Sequence, residues 1–180
     1  MEYNLIRLFE HPLRFRTYIP SAIVTFGGHA VGRSSIQVQW KQSSQEDTAE
    51  DELELSWDVT ALRSRFAEVE EEVAILRERD EDRATRVELA AVVVAVAVLA
   101  HIEPETQFTR RSSTGTGHDY YLNNTRTEMI EIAGRWDGGL PGLFADKQDQ
   151  SNLNPSLLKR WVSVTIITKT PRNRTEGLHA

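Results

Sequence analysis

Cysteine is absent from all 180 residues. Disulfides and thiolate metal sites are therefore excluded, in keeping with a reducing, cytoplasmic setting. Histidine is scarce too, with five residues and no His-x-x-x-His or comparable spacing, which argues against a zinc site. The N-terminal stretch Met-Glu-Tyr-Asn-Leu-Ile-Arg lacks a basic segment followed by an apolar one, so no signal peptide is expected. Long apolar runs are missing except for residues 89–100, twelve positions of Leu, Ala and Val. That is short of the roughly 20 residues a spanning helix needs. With Glu88, His101 and Glu103 close on either side, a buried core helix and no membrane association are expected.

Positive charge is also in deficit, with 21 Lys and Arg against 27 Asp and Glu and a net charge of −6. A strongly basic protein that coats nucleic acid is excluded on that balance. The acid is concentrated between Glu46 and Asp82, however. The rest of the chain is near neutral to basic, with Arg110, Arg111, Arg126, Arg135, Lys159, Arg160, Lys169, Arg172 and Arg174 in the C-terminal half, so a local phosphate-facing surface remains compatible. Hydrophobic residues at 39% are enough for one domain with a core, or one domain and a small appendage.

Residues 1–58 read as β. Runs at 22–26 and 35–40 are joined by Gly27-Gly28-His29-Ala30-Val31-Gly32-Arg33, and a third run covers 52–57. Ile36, Val38 and Trp40 alternate with Gln37 and Gln39, and Leu53, Leu55 and Trp57 with Glu54 and Ser56. Period two with one polar face predicts antiparallel strands. From 60 to 79, Leu62, Phe66, Val69, Val73 and Leu76 repeat at four and three, a narrow helical stripe suited to one partner, either the 89–102 helix or another subunit. A second helix is expected over 84–102, ended by Pro104, with a single long bent helix as the alternative because no Gly or Pro lies between 60 and 103. A strand follows at 106–110 with Phe108 inward. Residues 136–154 are rich in Gly, Asp, Gln and Asn and read as a loop, Asn154-Pro155 opens a short helix to Lys159, and 162–168 reads as the last strand. The tail, 171–180, has no core-forming pattern.

The chain is organised around 114–135. Thr-Gly-Thr-Gly-His-Asp-Tyr-Tyr-Leu and Glu-Met-Ile-Glu-Ile-Ala-Gly-Arg flank Asn-Asn-Thr-Arg-Thr, the pattern of a β-hairpin. If Leu122 opposes Glu128, the paired numbers sum to 250, and Asp119 faces Glu131 with β-carbons roughly 5 Å apart. Two carboxylates so placed repel unless solvated or given a positive charge to hold, such as a divalent cation. His118 reads as a core or surface residue rather than a proton shuttle beside Asp119, since adjacent strand residues face opposite sides. The Gly115-x-Gly117 pair precedes a strand, whereas nucleotide-binding glycines open a helix.

Gly115, Gly117, Asp119, Glu131 and the upstream helical Glu88 together resemble the core of the PD-(D/E)XK nuclease superfamily over residues 84–168. That resemblance implies an α+β fold in which an N-terminal antiparallel β-rich region (1–58) and an amphipathic helix (59–83) precede an α-β-β-β-α-β restriction-endonuclease-like core (84–170) and a tail (171–180). It implies Mg²⁺ or Mn²⁺ as cofactor, with Asp119, Glu131 and Glu88 as ligands beside a carbonyl from Ile132. Asp119, Glu131 and Arg135 become catalytic candidates, and Arg110, Arg111, Lys159 and Arg160 nucleic-acid contacts. It also implies a metal-dependent nuclease acting on nucleic acid, in a setting such as bacterial defence. One position departs: Ala133 stands where the family has its lysine, although the superfamily sometimes moves that lysine to another element. The alternative is a non-catalytic adaptor that kept the fold, bound to a protein partner or a second copy through the 62–76 helix.

Overall fold

The computed structural model describes residues 1–41, 47–79, 83–112, 119–152, 159–168 and 171–179. It is a mixed α+β fold built on one eight-stranded mixed sheet. The strands are β1 (Glu2–Asn4), β2 (Val31–Lys41), β3 (Ala49–Asp58), β4 (Phe108–Arg111), β5 (Tyr120–Leu122), β6 (Glu128–Arg135), β7 (Lys159–Ile166) and β8 (Arg172–His179). Their order across the sheet is β1-β3-β2-β8-β7-β6-β5-β4.

The β2–β3 hairpin follows the alternation in its sequence. Ile36, Val38, Leu53, Leu55 and Trp57 are buried, while Arg33, Gln37, Glu50 and Glu52 lie on the wetter face. The expected strand at 22–26 is instead the end of a helix, α1 (Ile19–Phe26). Its β-branched residues suggested a strand, but Pro20 sits in the first turn and Gly28, at φ +67, donates its N–H to the Ile23 carbonyl at 2.7 Å. Proline at the start and a left-handed glycine just past the end define a helix whatever lies between.

The 60–79 stripe is broken in two, α2 (Val59–Arg63) and α3 (Val69–Glu78), with Asp58 capping α2 by accepting from the N–H groups of Thr60 and Ala61. Leu62, Val69 and Val73 are buried, and α3 packs against α1 rather than against the 89–102 helix. The latter, α4 (Arg83–Ile102), has 20 residues and by length and composition could cross a membrane, yet 67% of its most apolar stretch is buried inside the fold. It runs between α1 on one side and β6, β7 and β8 on the other, which is why valine and alanine suit nearly all of its faces.

The segment expected to be a loop, 136–154, contains helix α5 (Leu140–Asn152), which covers the opposite face of the sheet over Val162, Val164 and Ile166. The expected Asn154–Lys159 helix lies outside the described residues except for Lys159, which begins β7. The tail was the largest surprise. Residues 172–179 form β8, antiparallel to β7 and parallel to β2, so strands from 1–58 and from 84–170 share one sheet. β8 was invisible to a search for apolar periodicity because its buried face is polar. Asn173 donates to Ser163, Thr165 and the Val164 carbonyl at 3.0–3.1 Å and accepts from Thr175 at 2.8 Å, with all four side chains fully buried. Satisfied in this way, buried amide and hydroxyl groups avoid the cost of desolvation.

From 83 onward the order is α4-β4-β5-β6-α5-β7-β8, with β6 parallel to β7 and antiparallel to β5. The α4–sheet contact is closest at Gly134, where an added β-carbon would lie 2.5 Å from the Val87 carbonyl and 2.8 Å from the Ala91 β-carbon. Gly134→Ala must push α4 off β6. We expect a loss of about 1–3 kcal/mol in urea unfolding, while Gly139→Ala, with nothing within 4 Å, should stay within about 0.5 kcal/mol of wild type. Equal midpoints for the two variants would show that α4 does not depend on this approach.

Candidate functional site

The β5–β6 hairpin turns through Asn123 and Asn124, both at φ 53, and pairs Tyr120 with Ile130 and Tyr121 with Met129. Each pair sums to 250, the register expected from the sequence. Regular pairing stops there. The Asp119 N–H bonds the Ile130 carbonyl at 2.9 Å, and its Oδ2 accepts the Ile132 N–H at 2.7 Å. The carboxylate thus takes a backbone donor that a continuing strand would have claimed, and Asp119 brackets Glu131 from the next strand. Among the described residues β5 pairs with β6 no further than this, and β6 runs on between α4 on one face and α5 on the other.

A cleft of about 360 Å³ lies there, lined among others by Tyr18, Glu88, Arg111, Asp119, Arg135 and Lys147. Glu131 itself is buried beside the cleft, 2% exposed, and does not line it. Strand alternation turns it to the α5 face with Ala133, and there Lys147 Nζ donates to its Oε1 at 2.6 Å and to Gln150 at 2.9 Å. Burial, then the charge of Asp119, raise the Glu131 carboxyl to about 7, against the lowering effect of Lys147. Lys147 is the residue that sequence reasoning missed. The signal was present in Leu140, Leu143, Phe144 and Lys147, spaced as one helical face, but three apolar residues within a polar segment did not stand out.

Glu88 is exposed on α4 at the rim, and among the described residues no three His, Cys, Asp or Glu side chains converge on a single point. Arg135 lines the cleft from the end of β6, and Arg111 from β4. The other expected nucleic-acid contacts do not gather there. Arg110 stacks on Tyr121 at 4.4 Å beside a separate hollow. Lys159 pairs with Glu103 at 3.1 Å, and Arg160 is buried at 8% exposure. Gly115, Gly117 and His118 lie outside the described residues. No family model, curated protein or solved structure matches the chain.

The segment before α1 contributes directly to the site. Tyr18 meets Tyr120 hydroxyl to hydroxyl at 3.3 Å, and Phe15, Phe108, Tyr120 and His11 stack edge to face or tilted behind them. Burial and then the Tyr18 hydrogen bond push the Tyr120 hydroxyl well above its ordinary range, so it acts as a neutral donor or acceptor. One wall of the cleft is therefore built by residues outside 84–170.

Because the folded Glu131 carboxyl titrates near 7 and the unfolded one near 4.5, the native state binds the extra proton between those values. Its contribution to stability is then largest below about pH 4.5 and is lost as pH rises to about 7. Relative to wild type, Glu131→Gln should gain up to about 3 kcal/mol in urea unfolding between pH 5 and pH 8. Parallel pH profiles would show that Glu131 is not strained by its surroundings.

Proposed function

We propose that the protein is a metal-dependent phosphodiesterase of PD-(D/E)XK type acting on nucleic acid, with its lysine supplied by α5 rather than by the strand. The observation that carries this reading is the 2.6 Å contact to the buried Glu131 from Lys147, which lines the cleft together with Asp119. Ala133 leaves no ammonium on β6, and Lys147 brings one to the same face. The order α4-β4-β5-β6-α5-β7, with β6 parallel to β7, supports the α-β-β-β-α-β core that the sequence resemblance implies.

The donor set fits a hard divalent cation: the Asp119 carboxylate, just before β5, is held against β6 next to Glu131, and among the described residues no cysteine or histidine lines the cleft. Mg²⁺ or Mn²⁺, when bound by these two residues, supplies a Lewis acid for water and for the phosphate. The chain's own groups do the rest. Lys147, shared between Glu131 and the cleft, can donate to a phosphate oxygen. Arg111 and Arg135 line the same cleft, and a guanidinium there matches a phosphate through two parallel N–H donors. Arginine stays protonated, so Arg135 serves in charge stabilisation and not as a base. The Tyr18 hydroxyl lines the same cleft.

The adaptor alternative rests on Ala133, on the net charge of −6 and on the 62–76 stripe. Lys147 beside Glu131 supports an ammonium at the site despite Ala133, and Leu62, Val69 and Val73 are covered within the chain, which leaves less of the stripe for a partner.

The test separates ligand from lysine. Mn²⁺ should raise the melting temperature of wild type and of Lys147→Met, and leave Asp119→Asn unmoved. Cleavage of a phosphodiester substrate should be lost in both variants, by about 10²-fold or more for Lys147→Met. It should be partly recovered when Ala133→Lys is added to Lys147→Met. No Mn²⁺ shift in wild type, together with no cleavage of single- or double-stranded DNA or RNA, would overturn the proposal.

A further inference from the structure

The cleft does not end at Arg135. A second hollow of about 580 Å³ continues from it, sharing Glu88, Gly134 and Arg135 and adding Arg83, Trp136 and Asp137. Its central feature is an indole held on the surface. Three large hydrophobic side chains are left exposed among the described residues, Val31, Ile75 and Trp136, and only Trp136, at 42%, is aromatic. The Arg83 guanidinium lies over its ring, 3.7 Å from the centroid. This contact ties the first turn of α4 to the residue just past β6, so the ring is held in place while much of its surface stays open.

We infer that Trp136, with Arg83 over one face of its ring and Arg135 lining the same hollow, is a stacking platform for one unpaired nucleobase on its other face, and that the substrate of the neighbouring cleft is single-stranded nucleic acid or a frayed end. The inference rests on the phosphodiesterase reading of that cleft. Three features point to this occupant. Every base has a π-face for an indole to meet, whereas inside a duplex both faces are covered by neighbouring pairs. The two guanidiniums complement backbone phosphate in a protein whose overall charge is −6, so attraction here is local rather than general. Glu131 and Trp136 lie on one run of chain, five residues apart, roughly 17 Å at strand spacing. The two hollows share Glu88, Gly134 and Arg135, so a strand with one base on Trp136 can reach Asp119 and Lys147 a few nucleotides away.

The test is equilibrium binding in EDTA, where no cleavage occurs, with fluorescein-labelled oligothymidylate, oligouridylate, a hairpin duplex and a base-free phosphodiester oligomer as probes. Wild type should bind a single strand more tightly than the duplex, with quenching of tryptophan emission. Trp136→Ala should lose about tenfold or more in single-strand affinity and the quenching, while Trp136→Phe keeps most of the affinity. Wild type should bind the base-free oligomer no better than Trp136→Ala binds oligothymidylate. With Arg83, Arg111, Arg135 and Lys147 on phosphate, the logarithm of affinity should fall with the logarithm of salt at a slope of about −2.8. Unchanged single-strand affinity in Trp136→Ala, equal affinity of wild type for strand and duplex, or binding of neither strand overturns the platform. Cleavage with unchanged Trp136→Ala affinity would overturn the platform alone. Trp136-dependent binding without cleavage would overturn only the phosphodiesterase reading.

Discussion

A helix as apolar as α4 must be covered on almost every side, and that requirement arranges the molecule around it. Thirteen of its residues are buried, from Arg86 to Ile102. At roughly 25 cal/mol per Å² of apolar surface, exposing one flank would forfeit several kcal/mol. The sheet covers one flank and α1 the other, with α3 behind α1 and the segment around Phe15 and Tyr18 closing one end. Residues 1–79 are thus the second half of the core. This also explains why Tyr18 reaches the cleft: the segment that seals α4 runs past the end of β5.

The cleft follows from the same packing. α4 comes so near β6 at Gly134 that an added β-carbon would meet the Val87 carbonyl, and among the described residues β5 pairs with β6 only near Tyr120, so the cleft sits where β6 passes between the two helices. Asp119 closes the ladder with a side-chain oxygen, which fixes its carboxylate next to Glu131. Opposite them, Lys147 is held by Glu131 and Gln150. A buried carboxylate with a like charge beside it and an ammonium above it is poised electrostatically, since a small change in bound charge moves its protonation near neutral pH.

What could be read from the sequence depended on whether burial was apolar. The hairpin register was legible because a short polar loop between two apolar runs has few ways to close, and β2 and β3 because their wet and dry residues alternate. α4 was legible from length. α1 was not, since Ile19, Ile23 and Val24 carry β-branched side chains and only Pro20 and Gly28 betrayed the helix. α5 escaped because its three buried apolar residues, Leu140, Leu143 and Phe144, sit in a segment of Asp, Gln and Asn. With it went Lys147, whose role depends on a helix crossing the sheet and not on any spacing from Glu131. β8 escaped because Asn173 and Thr175 are buried by hydrogen bonding, which leaves no hydrophobic trace.

The position of β8 has a consequence for the order in which the protein assembles. It is the last strand in sequence and lies in the middle of the sheet, between β2 and β7. While a ribosome is still making the chain, the β2–β3 hairpin and the β4–β7 unit can each form, but each keeps an unpaired edge facing the place that β8 will fill. Filling that place aligns Asn173 with Ser163 and Thr165 across the β7–β8 pair. Long-range pairing of this kind carries a high loop-closure cost, and an unfilled β-edge is a template for pairing with a neighbouring chain. The buried polar network adds selectivity to that place: a strand without an asparagine there would leave the Ser163 and Thr165 hydroxyls short of a partner, at the cost of their desolvation.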